Sequence, residues 1–143
     1  MKEISFSDLE QSQKDLLDSA EAVMRYSYSP YSKFSVGAAV LSEDGEVISG
    51  TNFENASYGI TTCAERAAIV SANSKGKSKL KAIAIIAKNS KGILSPCGQC
   101  RQIIQESALI SKTDIEVIMS NNDKSEIMIT KISELLPLSF GLN

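Results

Sequence analysis

The chain has 143 residues, is 43% hydrophobic and 22% charged, and carries a formal net charge of -2. That size and balance fit a single domain over residues 1–143 with an apolar core, and they exclude an intrinsically disordered chain. Lys and Arg cluster no further than "KGKSKLK", which is no footprint for a phosphate backbone, and the polar start "MKEISFSDLEQSQK" lacks the apolar core of a signal peptide, so we expect a cytoplasmic protein with no nucleic-acid partner and no membrane span.

A first helix is predicted from about Ser7 to Tyr26. Ser7 and Glu10 match the S-x-x-E capping box, and Leu9, Leu16, Ala20, Val23 and Met24 recur at helical spacing. Pro30 in "YSPYSK" disfavours helix at the residue before it. "FSVGAAVL" and "EVISGTNFE" read as two strands of a hairpin, joined by the turn residues "SEDG". A second helix starts near Thr62 or Cys63 and ends around Asn73. "LKAIAIIAK" is a continuous apolar run, the pattern of a strand covered on both faces. A third helix runs from Pro96–Gly98 to about Ser107. "IEVIM" and "EIMIT" are strands about the turn "NNDK", and "KISELL" is a final short helix before Pro137. This order predicts a layered α/β domain whose mixed sheet has five strands, with the hairpin first and crossovers later.

The chain has no histidine and three cysteines: one in "TTCAERAAI", two in "SPCGQC". Thirty-three residues separate Cys63 from Cys97, and two separate Cys97 from Cys100. A C-x-x-C that opens a helix places both sulfurs near its N-terminus on one face, where the helix dipole favours thiolates. Cys63 stands at the start of another helix. If the two starts converge, three thiolates surround one point. Structural zinc sites take four protein ligands, whereas catalytic ones take three and keep a position for water. Spacing alone leaves three readings open: such a zinc site, a C-x-x-C redox pair with a buried third cysteine, or plain core cysteines.

Glu65 lies two residues beyond Cys63, about 200° around a regular helix, so the two side chains diverge unless Cys63 sits on the helix lip. A first-turn acid favoured by the dipole is the alternative reading. In combination, "CAE" and "PCGQC" match the signature by which zinc-dependent deaminases are known, H-x-E…P-C-x-x-C with cysteine in place of histidine.

More of the chain carries the likeness. "YSKFSVGAAVL", "NFENASYG", "CAERAAI", "SPCGQCRQ" and "ELLPLSFG" follow one another as in the small cytidine deaminases, and from about Tyr31 to Gly141 the chain resembles that family. Ala67 stands where the family more often has threonine. The resemblance implies a three-layer fold with helices on both faces of the sheet, and zinc-dependent hydrolysis of cytidine and deoxycytidine to uridine and deoxyuridine with release of ammonia, a step of pyrimidine salvage. It implies one Zn2+ per subunit on Cys63, Cys97 and Cys100, and Glu65 as the proton shuttle. Three thiolates leave a zinc site net negative, a weaker Lewis acid, and the resemblance gives Arg66 the task of drawing charge from the sulfurs. Asn52 and Glu54, two apart on one face of an extended segment, offer donor and acceptor to a hydroxyl, and in the family they bind the ribose. Phe34 matches the aromatic that lies against the pyrimidine, Ala64 a backbone contact to the base, and Phe140 a residue that closes a neighbouring subunit's pocket in a homotetramer. The partner implied is a free pyrimidine nucleoside. No basic cluster beside the motifs awaits a 5′-phosphate. Three alternatives stand beside this one: a deaminase of a cytosine-containing nucleoside antibiotic such as blasticidin S, a zinc-stabilised binding module without turnover, and a redox protein.

Overall fold

The computed structural model describes residues 1–142. Its sheet has six strands: β1 (Lys2–Ile4), β2 (Val36–Ser42), β3 (Val47–Thr51), β4 (Leu80–Ala87), β5 (Glu116–Ser120) and β6 (Ile127–Lys131), in the order β1-β6-β5-β4-β2-β3. The helices are α1 (Gln11–Val23), α2 (Ala64–Ser74), α3 (Gly98–Ser111) and α4 (Ile132–Leu135). The mixed sheet, the β2–β3 hairpin and the layered plan are as expected. The strand count is corrected from five to six. Lys2–Ile4 is too short to carry a period, and it becomes a strand only because β6 offers a free edge for antiparallel pairing, Lys2 opposite Ile129.

The first helix also begins later than expected. Phe6–Asp8 forms a 3-10 turn and Leu9 is extended, so that Leu9 reaches the core at 5% exposure. Glu10, not Ser7, caps α1, and its backbone N–H donates to Gln13 Oε1 at 2.9 Å. Burying Leu9 outweighs the capping box read from Ser7.

β4 lies inside the sheet, antiparallel to β2 and parallel to β5, and of its residues only Lys81 is exposed. Alternate β4 residues feed the two faces. Ala39, Ala84, Ile118 and Ile129 align in register across four strands, and this row packs under Leu16, Leu17 and Ala20 of α1. The opposite row, Ala38, Ile85, Met119 and Met128, faces α2, α3 and α4 through Ala68, Ile104 and Ile132. Parallel strands need a crossover, and α3 supplies it between β4 and β5.

Two glycines set how near the helices come. A Cβ on Gly37 would stand 1.8 Å from the Ala20 carbonyl oxygen of α1. One on Gly50 would stand 2.5 Å from the Ala68 nitrogen and 3.0 Å from the Ala67 Cβ of α2. The small side chain at Ala67 belongs to this close approach. Among the described residues no helix is long and apolar enough to cross a membrane.

Gly50→Ala forces α2 off the sheet. It is expected to lower stability by about 1–3 kcal/mol in urea denaturation, the usual scale of overpacking. Gly59→Ala, where a Cβ meets open space, should stay within about 0.5 kcal/mol.

Candidate metal centre and active site

Cys63 is the N-cap of α2 and is extended, with φ -73° and ψ 153°. It therefore lies on the helix lip, the condition its spacing from Glu65 imposes. Its carbonyl accepts the Ala67 N–H at 3.0 Å. Cys97 caps α3 in the same way, with its carbonyl accepting from Arg101 N at 2.9 Å, and Cys100 follows within the first turn. The three sulfurs lie within 4.8 Å of one another. None is in a disulfide; Cys100 is buried, Cys63 half-buried and Cys97 exposed. Zinc–sulfur bonds of about 2.3 Å in a tetrahedron hold sulfurs roughly 3.8 Å apart, so this donor set fits zinc.

The thiols act on one another's acidity. A hydrogen bond with Cys100 brings Cys63 down to about 7, helped by the charge of Arg66 and opposed by burial and by Glu65. The same bond, with burial, pushes Cys100 far above the ordinary thiol range. Arg66 lines a void of about 20 Å3 with Cys63, Gln99, Cys100 and Ile103, while its Nη2 donates to the Thr61 carbonyl at 3.0 Å. The guanidinium is beside the sulfurs but tied to the backbone.

Glu65 is 5% exposed, and burial raises its pKa above the ordinary carboxyl value. It opens with the thiols into a cavity of about 410 Å3 that Phe34, Asn52, Glu54 and Ala64 also line. Of the residues singled out from the sequence, Phe140 alone lies away from this cavity and the thiols. It is 69% exposed, and its carbonyl accepts from Gln102 Nε2 at 3.2 Å.

Asn52 and Glu54 lie just past the end of β3, where irregular pairing continues the alternation. The Glu54 N–H donates to the Tyr28 carbonyl at 2.8 Å, and Phe53 exchanges bonds of 2.9 Å with Thr62. Phe53 points outward and stacks on Tyr28 at 5.0 Å, while Asn52 and Glu54 turn inward. Both are already at work. Asn52 Oδ1 accepts from Ser27 Oγ at 2.5 Å and from Val36 N at 3.1 Å, and its Nδ2 donates to the Phe34 carbonyl at 2.8 Å. Glu54 Oε1 accepts from the N–H groups of Tyr31 and Ser32 at 2.9 and 3.2 Å, and Oε2 accepts from Ser32 Oγ. These bonds hold Glu54 below the usual carboxylate range, Ser32 Oγ contributing most. A side-chain amide has two N–H donors and a carboxylate about four acceptor positions. One donor on Asn52 and one acceptor position on Glu54 stay free, which is what a single hydroxyl uses.

Sequence reasoning missed Ser32, Val36, Thr61, Thr62 and Leu94 in the cavity wall. It also missed Arg101, whose only signal was its place directly after Cys100.

The family model for the cytidine and deoxycytidylate deaminase zinc-binding region matches residues 10–116, and the chain belongs to that family. A cytidine deaminase of Halalkalibacterium halodurans is 47% identical over 113 residues, covering 79% of this chain and 82% of its own. The solved cytidine deaminase of Burkholderia pseudomallei superposes with a TM-score of 0.80 at 39% identity, over 88% of this chain and 97% of that one. A blasticidin-S deaminase of Bacillus cereus is 35% identical over 118 residues, 78% of this chain and 80% of its own.

Removing the Asn52 side-chain amide leaves the Val36 N–H and the Phe34 carbonyl without their partner. Asn52→Ala is expected to cost about 1–3 kcal/mol in denaturant unfolding, before any nucleoside is added. A variant as stable as the parent would mean the amide does not brace the loop.

Proposed function

We propose that the protein is a zinc-dependent hydrolase that converts cytidine and deoxycytidine to uridine and deoxyuridine with release of ammonia. The observation that carries this is the convergence, in one cavity, of three thiols at two helix starts and a buried carboxyl of raised pKa. Cys63, Cys97 and Cys100 would hold one zinc ion per subunit, which can bring the pKa of a water from 15.7 to about 7.

Glu65 does the proton work. Its carboxylate takes a proton from the attacking water and delivers it to N3 of the cytosine ring, which makes C4 electrophilic. After addition at C4, Glu65 carries the second proton to the exocyclic amino group, which leaves as ammonia. Burial suits it to the task, because a raised pKa makes the carboxyl readier to hold a proton between transfers. The Ala64 backbone would meet the base edge, with Phe34 against the ring. The free donor of Asn52 and the free acceptor of Glu54 would take a ribose hydroxyl. Among the described residues that line the cavity there is no Lys or Arg, which supports a free nucleoside over a nucleotide. Arg66, beside Cys63, would offset the charge of the thiolates.

Phe140, Tyr58 and Ile60 expose 69%, 76% and 63% of their surface. This apolar surface supports a homotetramer in which Phe140 closes a neighbour's pocket, and a fully active monomer in sedimentation and assay would contradict it. Unpaired thiols as metal ligands suit a reducing compartment, in keeping with a cytoplasmic enzyme.

Ammonia release from cytidine tests the activity. The blasticidin S reading has its own support in the similarity to the Bacillus cereus enzyme, and kcat/KM for cytidine, deoxycytidine and blasticidin S decides between them. General acid–base catalysis alone is typically worth about 10²–10⁴-fold. Glu65→Ala, which removes the carrier from several steps, is expected to lose at least about 10⁴-fold in kcat with zinc still bound; near-normal turnover would refute the mechanism. Arg66→Gln should keep its zinc and lose kcat, and unchanged turnover would dismiss the charge-offset role.

A further inference from the structure

Arg101 is the residue after Cys100, yet its side chain turns back past the start of its own helix. Nε donates to the Pro96 carbonyl at 2.8 Å, Nη2 to Ser95 Oγ at 2.8 Å, and Nη1 to the Leu135 carbonyl at 2.9 Å. Its backbone N–H holds the Cys97 carbonyl. One residue thus grips three consecutive positions, Ser95, Pro96 and Cys97, and anchors them to the last residue of α4. The Leu135 carbonyl is one of those a helix C-terminus leaves without an internal partner.

Cys97 needs such support more than the other two thiols. Cys63 is held between the β3 extension and α2, and Cys100 is buried inside α3. Cys97 is exposed, and its position depends on the backbone that leads into it. Pro96 has no N–H, so this stretch cannot brace itself through a donor there. A guanidinium serves where an ammonium would not, because its planar fork reaches several acceptors in fixed directions at once.

We propose that Arg101 is a positioning residue of the metal centre: it holds the Ser95–Cys97 loop against α4 so that the Cys97 thiol stays in reach of the other two. The inference rests on the reading that the three thiols hold zinc. Groups that orient metal ligands from outside typically change metal affinity by about 10–100-fold when lost, and Arg101 falls in that class.

The test uses the zinc-loaded protein. Zinc release to a chromophoric chelator is followed at 25 °C for the parent, Arg101→Lys, Arg101→Ala and Ser95→Ala, and thermal midpoints are measured alongside. Both Arg101 variants are expected to release zinc about 10–100-fold faster. The exposed Ser95 loses only the Nη2 contact, so Ser95→Ala should show a smaller change in the same direction, and in the Arg101→Lys background it should add nothing. In the cobalt-substituted protein, the thiolate charge-transfer bands of the Arg101 variants should shift. If Arg101 serves stability alone, the midpoint falls while release from the native protein and the cobalt bands stay as in the parent, and that result overturns the proposal. Should Arg101→Ala fail to fold, Arg101→Lys with Ser95→Ala decides, and parental release in both is again fatal. A parent protein that holds no zinc would overturn the metal reading, and this inference with it.

Discussion

Three sulfurs within 4.8 Å cannot all be ionised unless something positive meets them. This constraint organises the fold. With protons alone, one thiol ionises near neutrality and its neighbour is pushed far out of range. The protein's own positive groups are the N-termini of α2 and α3 and the guanidinium of Arg66. Bringing two helix starts to one point requires both helices on one face of the sheet, each entered from a strand that ends nearby. The β3 extension leads into α2, and β4 leads through the 88–97 loop into α3. Gly50 lets α2 lie close enough for its start to reach that point. On this face the inner strands present Ala38, Val40, Ile83, Ile85, Val117 and Met119, and under α1 they present Ala39, Ala82, Ala84, Ile86 and Ile118.

The polar groups of the cavity divide by burial. Glu65 is surrounded by apolar wall and thiols, and is biased toward its protonated form. Glu54 is also largely buried, but three donors from the 31–32 loop keep it an anion. Two carboxyls eleven residues apart in sequence are therefore tuned in opposite directions, by desolvation in one case and hydrogen bonding in the other. In the proposed reaction the first moves protons and the second only accepts a hydroxyl.

Much of this was legible from the residues. The run at Leu80–Ala87, the hairpin and the C-x-x-C at a helix start each depend on local pattern, and local pattern sufficed. The angular objection to Cys63 with Glu65 was also legible, and its resolution is a single extended N-cap residue. What escaped the sequence depends on partners distant along the chain. β1 exists only opposite β6. The start of α1 was set by burial of Leu9, not by the nearest capping box. Asn52 and Glu54 looked like two groups held ready for a ligand, because nothing in "NFENASYG" shows Ser27, Ser32 or the Val36 N–H folding back on them. Arg101 gave no sign beyond its neighbour, since its acceptors include a carbonyl at Leu135.

The bonds of Asn52 and Glu54 bear on how such an enzyme can diverge. Each side chain holds up the loop that forms the cavity wall, and in the proposed reading each keeps one bonding position for the substrate. A substitution that altered sugar recognition at either would also loosen the wall, so selection meets both effects at once. Ser32, Thr61 and Thr62 line the same cavity with small side chains. Ser32 is bonded to Glu54 and Thr61 Oγ1 accepts from the Asn55 N–H at 3.2 Å, so of the three only the Thr62 side chain is free of such bonds among the described residues. New substrate range is therefore more accessible through Thr62 than through side chains that also brace the wall.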